Sequence, residues 1–184
     1  RFSQVISSDA NEEARSTCAK RLLNLGAPVI EVAGDALAAS KEMAKIVNPY
    51  GLHFAFIDPY SLGALNFDIL SSLSILKRID LMIHVSAMDL QRNLELNPKS
   101  IDDFAPGWRN HVDTSASKQT VRANLIEYWR GKVAELGTMP SAEMKLITGS
   151  KSQRLYWLLL ASRHELAREF WSKAIDTDAQ GRLL

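Results

Sequence analysis

From Phe2 to Val85 the chain alternates short apolar runs with segments of helical period, and this constrains the fold more than any other feature. Phe2–Ser7 reads as a strand ended by Ser8-Asp9. Asp9 with Glu12 has capping-box spacing, and Ala14, Cys18, Leu22 and Leu25 then repeat at helical period until Gly26. Pro28–Ala33 is the next strand, followed by Gly34-Asp35 and a helix that keeps Leu37, Ser40, Ala44 and Val47 on one face before Asn48-Pro49. His53–Ile57 is a third strand and Ile79–Val85 a fourth. Between them a helix over Leu65–Lys77 turns Ile69, Leu70, Leu73 and Leu76 inward. A βαβαβαβ order predicts a mostly parallel sheet with helices on both faces, with the His53–Ile57 strand inside it.

The second half differs. Residues 96–120 keep no sustained period and carry Pro98, Pro106 and Gly107, which predicts a long loop or lid anchored by Phe104 and Trp108. A helix is expected over 121–137, with Leu125, Tyr128, Trp129 and Val133 in register. Glu143–Thr148 and Arg154–Ser162 flank the polar Gly149-Ser-Lys-Ser, so 143–175 should form an antiparallel hairpin plus a closing helix, Glu165–Ile175, ahead of a frayed polar tail. With 184 residues, the length prior is a single α/β domain over 1–184.

Composition excludes several function classes. One cysteine, Cys18, rules out an internal disulfide framework and fits a reducing, cytoplasmic setting. Its place among Leu22 and Leu25 suggests a core thiol rather than a nucleophile. His53, His84, His111 and His164 show no metal-ligand spacing, so no metal is expected. No apolar run reaches transmembrane length, so no membrane partner is expected. There is no Gly-x-Gly-x-x-Gly, no Walker-type phosphate loop and no Gly-x-Ser-x-Gly elbow. The net charge of +1 is uninformative, although Lys118–Arg168 holds nine basic residues against four acids. That excess suits solvent, and it is also compatible with nucleic acid. Tyr156, Trp157, Phe170 and Trp171 read as core rather than as a base-stacking platform. His84, inside an apolar strand, reads as a satisfied core histidine.

Three acids follow three successive strands: Asp9, Asp35 and Asp58. In open α/β sheets ligands bind at the carboxyl ends of parallel strands, so the three could line one crevice. An acid in this position can accept both hydroxyls of a ribose. Asp35 can accept the exocyclic amine of an adenine, with Gly34 allowing close approach. The plainer reading is that each acid caps the following helix. Asp58-Pro59-Tyr60 also resembles the catalytic corner of amino-group methyltransferases, where the acid and a proline carbonyl accept hydrogen bonds from the target amine and the aromatic stacks on its ring. The plainer reading there is a strand followed by a proline turn. Met88–Leu94 follows the fourth strand beside this corner, and its polar side chains could contact a ligand.

With these segments placed, the chain resembles the three-Cys-motif partner protein family, which is related to S-adenosylmethionine-dependent methyltransferases. The resemblance rests on Gly34-Asp35-Ala36 and on Phe56-Ile57-Asp58-Pro59-Tyr60-Ser61-Leu62-Gly63, similar to the family's Phe-x-Asp-Pro-Phe-Gly-like string. Ile79-Asp80-Leu81-Met82-Ile83, followed by Met88-Asp89-Leu90-Gln91-Arg92-Asn93-Leu94, is similar to its strand and Met-Gly-Leu-x-Arg-Asn-Leu-like run. Phe104 to Trp108 and Leu158 to His164 look like later landmarks. The resemblance implies a Rossmann-like methyltransferase fold with S-adenosylmethionine as cofactor. Asp9 would hold the ribose, Gly34, Asp35 and Ala36 the adenine, and Asp58, Pro59 and Tyr60 would carry catalysis on an amino group. It also implies a bacterial three-Cys-motif protein as partner.

Two departures from that pattern stand out. The glycine-rich first turn of such folds is expected before Arg1, so the chain reads as N-terminally truncated. The corner has one proline rather than two, placing Tyr60 one position early. Two other readings stay open: a non-catalytic protein-interaction module of a bacterial defence-type system, and a nucleic-acid-binding domain.

Overall fold

The computed structural model describes residues 2–176; the expected polar tail lies outside the described residues. The protein is mixed α/β with two sheets, and it divides into two compact units. One comprises the described part of 1–51 together with 68–76, the other 52–67 together with the described part of 77–184.

In the first unit, β1 (Val5–Asp9) and β2 (Val29–Ala33) form a two-stranded parallel sheet, with Val5 opposite Val29 and Asp9 opposite Ala33. The crossover is α1 (Glu12–Asn24), and α2 (Ala36–Ile46) follows β2. Asn11, not Asp9, caps α1, its side chain accepting from Ala14 N–H at 2.9 Å. Asp9 instead accepts from Asn11 N–H, so the capping-box reading is corrected by two residues: the acid sets the turn and the amide caps it. The buried face of α1 also differs from expectation. Ala19 is buried, whereas Cys18 and Leu25 are exposed, because the stripe runs one residue later than the one read from Ala14 and Cys18. In α2, Ala39 and Ser40 are buried, near the predicted stripe.

The second unit carries a five-stranded sheet. Its order is β3 (His53–Ile57), β4 (Ile79–Ser86), β7 (Arg154–Ser162) and β5 (Met139–Pro140), with β6 (Lys145–Thr148) also paired to β7. Only β3 and β4 are parallel; β7 runs antiparallel to β4, β5 and β6. The hairpin around Gly149 forms as expected. The four amino-terminal strands do not share one sheet, and β3 is an edge strand rather than an interior one. An apolar run reports which side chains avoid water; it does not report which backbone edges are paired. On β3 the side chains alternate in exposure, with Phe54 at 51% and Phe56 at 58%. β5, only two residues long and containing a proline, gave no strand signal.

β4 separates its side chains cleanly. Ile79, Leu81, Ile83 and Val85 are buried, while Asp80, Met82, His84 and Ser86 on the other face are half-buried. The buried face matches Leu159 and Ala161 of β7, opposite Ile83 and Leu81. The helices of this unit are α4 (Ala87–Leu96), α5 (Pro98–Phe104), α6 (Lys118–Glu135) and α7 (Glu165–Asp176). Leu90, Ile101, Phe104, Leu125, Trp129 and Val133 contribute fully buried side chains, and the rings of Phe104 and Trp129 stack with centroids 4.8 Å apart. Residues 96–120 are therefore not one long loop. Pro98 opens α5 at a position where its missing N–H costs nothing, and Phe104 and Trp108 are buried as anchors. Phe170, expected in the core, is exposed on α7. The remaining helix, α3 (Phe67–Leu73), buries Ile69, Leu70 and Leu73, and Leu76 just beyond it is buried too, as its period predicts. Among the described residues no helix is long and apolar enough to cross a membrane.

α6 stops because Gly137 adopts φ +80°, its N–H closing onto Ala134 O at 2.8 Å. A Cβ there would lie 2.5 Å from Arg163 Nη1, displacing the guanidinium that donates to Leu136 O. Gly137→Ala should therefore destabilise the fold by about 1–2 kcal/mol through left-handed backbone strain. A chemical denaturation midpoint equal to that of the parent protein would contradict this.

Candidate functional site

The corner after β3 is built on its register with β4. Ile57 lies opposite Ile83, so the next positions, Asp58 and His84, come side by side at the carboxyl end of the parallel pair. There His84 Nδ1 lies 2.5 Å from Asp58 Oδ1. An ionised carboxylate offers no proton, so the imidazole donates from Nδ1. The Asp58 side chain is 59% exposed and that of His84 17%, which places the pair at the boundary of protein and solvent. The ring of Tyr156, from β7, lies tilted at 59° against the imidazole with centroids 4.0 Å apart. Neither Asp58 Oδ2 nor His84 Nε2 bonds a described residue.

The loop behind Asp58 is held from beneath. Ser61 caps a 3₁₀ turn, Leu62–Ala64, by accepting from Ala64 N–H at 3.3 Å. Leu62 is fully buried, and its N–H donates to Asp89 Oδ2 at 3.1 Å. Asp89, in the first turn of α4, is itself buried and receives Arg92 Nη2 on its other oxygen at 2.6 Å. Its N–H is taken by the Ser86 hydroxyl, which caps α4. Ser100 of α5 approaches Gly63 so closely that a Cβ there would sit 3.0 Å from its Oγ. These supports fix residues 61–64 while Tyr60 stands 95% exposed.

In the first unit, Asp9 and the Gly34-Asp35-Ala36 turn lie together at the carboxyl end of β1 and β2. Asp35 is the N-cap of α2, its Oδ1 accepting from Ala38 N–H at 2.8 Å. Gly34 has φ +117°, and a Cβ on it would touch that of Ala38 at 3.4 Å. Ala36 is the first residue of α2 and exposed. Each acid commits one oxygen locally, and among the described residues Oδ2 has no partner. One open oxygen suffices to accept from an exocyclic amine, a job Asp35 Oδ2 could do. A two-oxygen grip on a ribose by Asp9 would have to share the oxygen that Asn11 N–H already uses.

Asp58 and Tyr60 stand at the carboxyl end of a parallel strand, as expected, and are exposed there; two residues at the corner differ from expectation. His84 was assigned to the core, although its alternation with Asp80, Met82 and Ser86 puts it on the half-buried face. Asp89 was grouped with ligand-facing polar residues, whereas it pins the loop. Among the described residues no cluster of three or more His, Cys, Asp or Glu side chains could hold a metal ion. No protein-family model matches the sequence, and no curated protein matches it.

Proposed function

We propose that this chain is a methyltransferase-like domain of the three-Cys-motif partner type, with a Rossmann-like fold, serving S-adenosylmethionine-dependent methylation of an amino group. One observation carries the reading. An acid with an open oxygen, a proline and an unpartnered aromatic end a parallel strand, on a loop braced from behind by Asp89 and Ser100. Ligands of α/β sheets bind at such strand ends. When bound, S-adenosylmethionine supplies an electrophilic methyl group. Asp35 would accept the adenine amine, with Gly34 and Ala36 leaving the backbone approachable, and Asp9 would take a ribose hydroxyl. Asp58 Oδ2 would orient the target amine, Pro59 would shape the approach, and Tyr60 would stack on a planar acceptor. A base presented from a duplex must first be flipped out to reach such a corner. A bacterial three-Cys-motif protein is the partner this reading carries with it.

A second reading, a non-catalytic protein-interaction module, is favoured by the β3 edge, where Phe54 and Phe56 are exposed and no gatekeeper charge or proline lies within the strand. Calorimetric titration of the protein with S-adenosylmethionine separates the two. Binding that weakens about five-fold in Asp35→Ala, as expected for one lost hydrogen bond of about 1 kcal/mol, supports the first. No binding at millimolar donor leaves the interaction module as the better reading.

A further inference from the structure

We infer that Asp58 and His84 form a carboxylate–imidazole proton-accepting pair, in which His84 Nε2 takes a proton from a ligand N–H at the corner. Three observations converge on this. His84 Nδ1 is committed to Asp58 Oδ1 at 2.5 Å, which fixes the ring's tautomer and leaves the Nε2 lone pair as the open basic position. The Tyr156 ring, 4.0 Å away and tilted, limits the imidazole's freedom to turn, so the lone pair keeps its direction. The Asp58 side chain is 59% exposed and that of His84 17%, so the pair borders solvent rather than lying sealed in the core.

Among the described residues His84 commits only Nδ1 to a protein partner, so Nε2 stays available to a ligand. In the proton step, the ligand N–H bond breaks with its electron pair staying on nitrogen, and an N–H bond forms at Nε2. The positive charge that results on the imidazole faces the Asp58 carboxylate. The choice of an amine as the ligand rests on the methyl-acceptor reading above; the pair itself does not.

The test is the nitrogen-15 spectrum of the full chain labelled at histidine, recorded on the neutral imidazole without donor or acceptor. Long-range proton–nitrogen correlations should show His84 protonated on Nδ1 and bare on Nε2. Asp58→Ala, at an exposed position where folding is not at stake, should shift His84 towards the Nε2–H tautomer, while His53, His111 and His164 keep theirs. Finding Nε2–H in the parent protein, or no change in Asp58→Ala, overturns the inference. Because the measurement involves no methyl donor, failure of S-adenosylmethionine binding would remove the amine-methylation reading and leave the pair intact. In the parent protein diethyl pyrocarbonate should acylate His84 at Nε2; no acylation of His84 would count against an open Nε2.

Discussion

On the proposed amine methylation, Asp58→Ala is expected to lower methyl transfer by about 10²–10³-fold while leaving S-adenosylmethionine affinity unchanged, the scale typical of removing one preorganised electrostatic contact at a reacting centre. The substitution takes away the oxygen that would face the amine and the one that orients His84. Folding should be unaffected, because the side chain is largely in solvent and the loop behind it is carried by Asp89 and Ser100. Radiolabelled methyl incorporation into an amine-bearing acceptor, alongside donor calorimetry, reads both quantities. Equal loss of donor binding and transfer would move Asp58 out of the acceptor role. Unchanged transfer would remove the corner from the chemistry altogether.

The largest expected effect on stability lies elsewhere. Trp129→Ala should cost about 3–5 kcal/mol, the range for truncating a buried large aromatic. Trp129 is fully buried in α6 and stacks on Phe104 of α5, so its removal opens a cavity and leaves Phe104 without its ring partner. The indole Nε1 has no hydrogen-bond partner in the core, so Trp129→Phe would relieve an unpaired donor while losing volume. Urea denaturation should therefore rank the variants Ala well below Phe, with Phe close to the parent protein. Equal losses for both would mean that ring volume is not what matters at this position.

The parts of the fold that were legible in the sequence are those written in local period. Ile69, Leu70, Leu73 and Leu76 are buried as their spacing predicts, and so are Leu125, Trp129 and Val133. The hairpin turn at Gly149 and the β7 boundaries were also readable, because turn chemistry and strand length are local properties. The pairing of strands was not. Nothing in His53–Ile57 distinguishes an edge from an interior position, since backbone hydrogen bonds leave no mark on side-chain polarity. Near α1 the errors were of register: one residue along, and Cys18 moves from core to solvent. The candidate site divided in the same way. Asp58 and Tyr60 were found because they end a strand. His84 was not, because its meaning depends on which residue of a neighbouring strand lies beside it.

The pairing of β4 has a consequence for how the site comes into being. On one side β4 meets β3, with His53 opposite Ile79; on the other it meets β7, with Asp80 opposite Ser162, roughly eighty positions further along the chain. Closing that longer loop costs roughly 1 kcal/mol more in chain entropy than closing the shorter one, and the cost is met before any contact is gained. The β3–β4 ribbon can thus assemble early, bringing Asp58 to His84 in a nascent chain. Tyr156 arrives only with β7. Until then the imidazole has a hydrogen-bond partner but no wall, so the ring's orientation is among the last things folding determines.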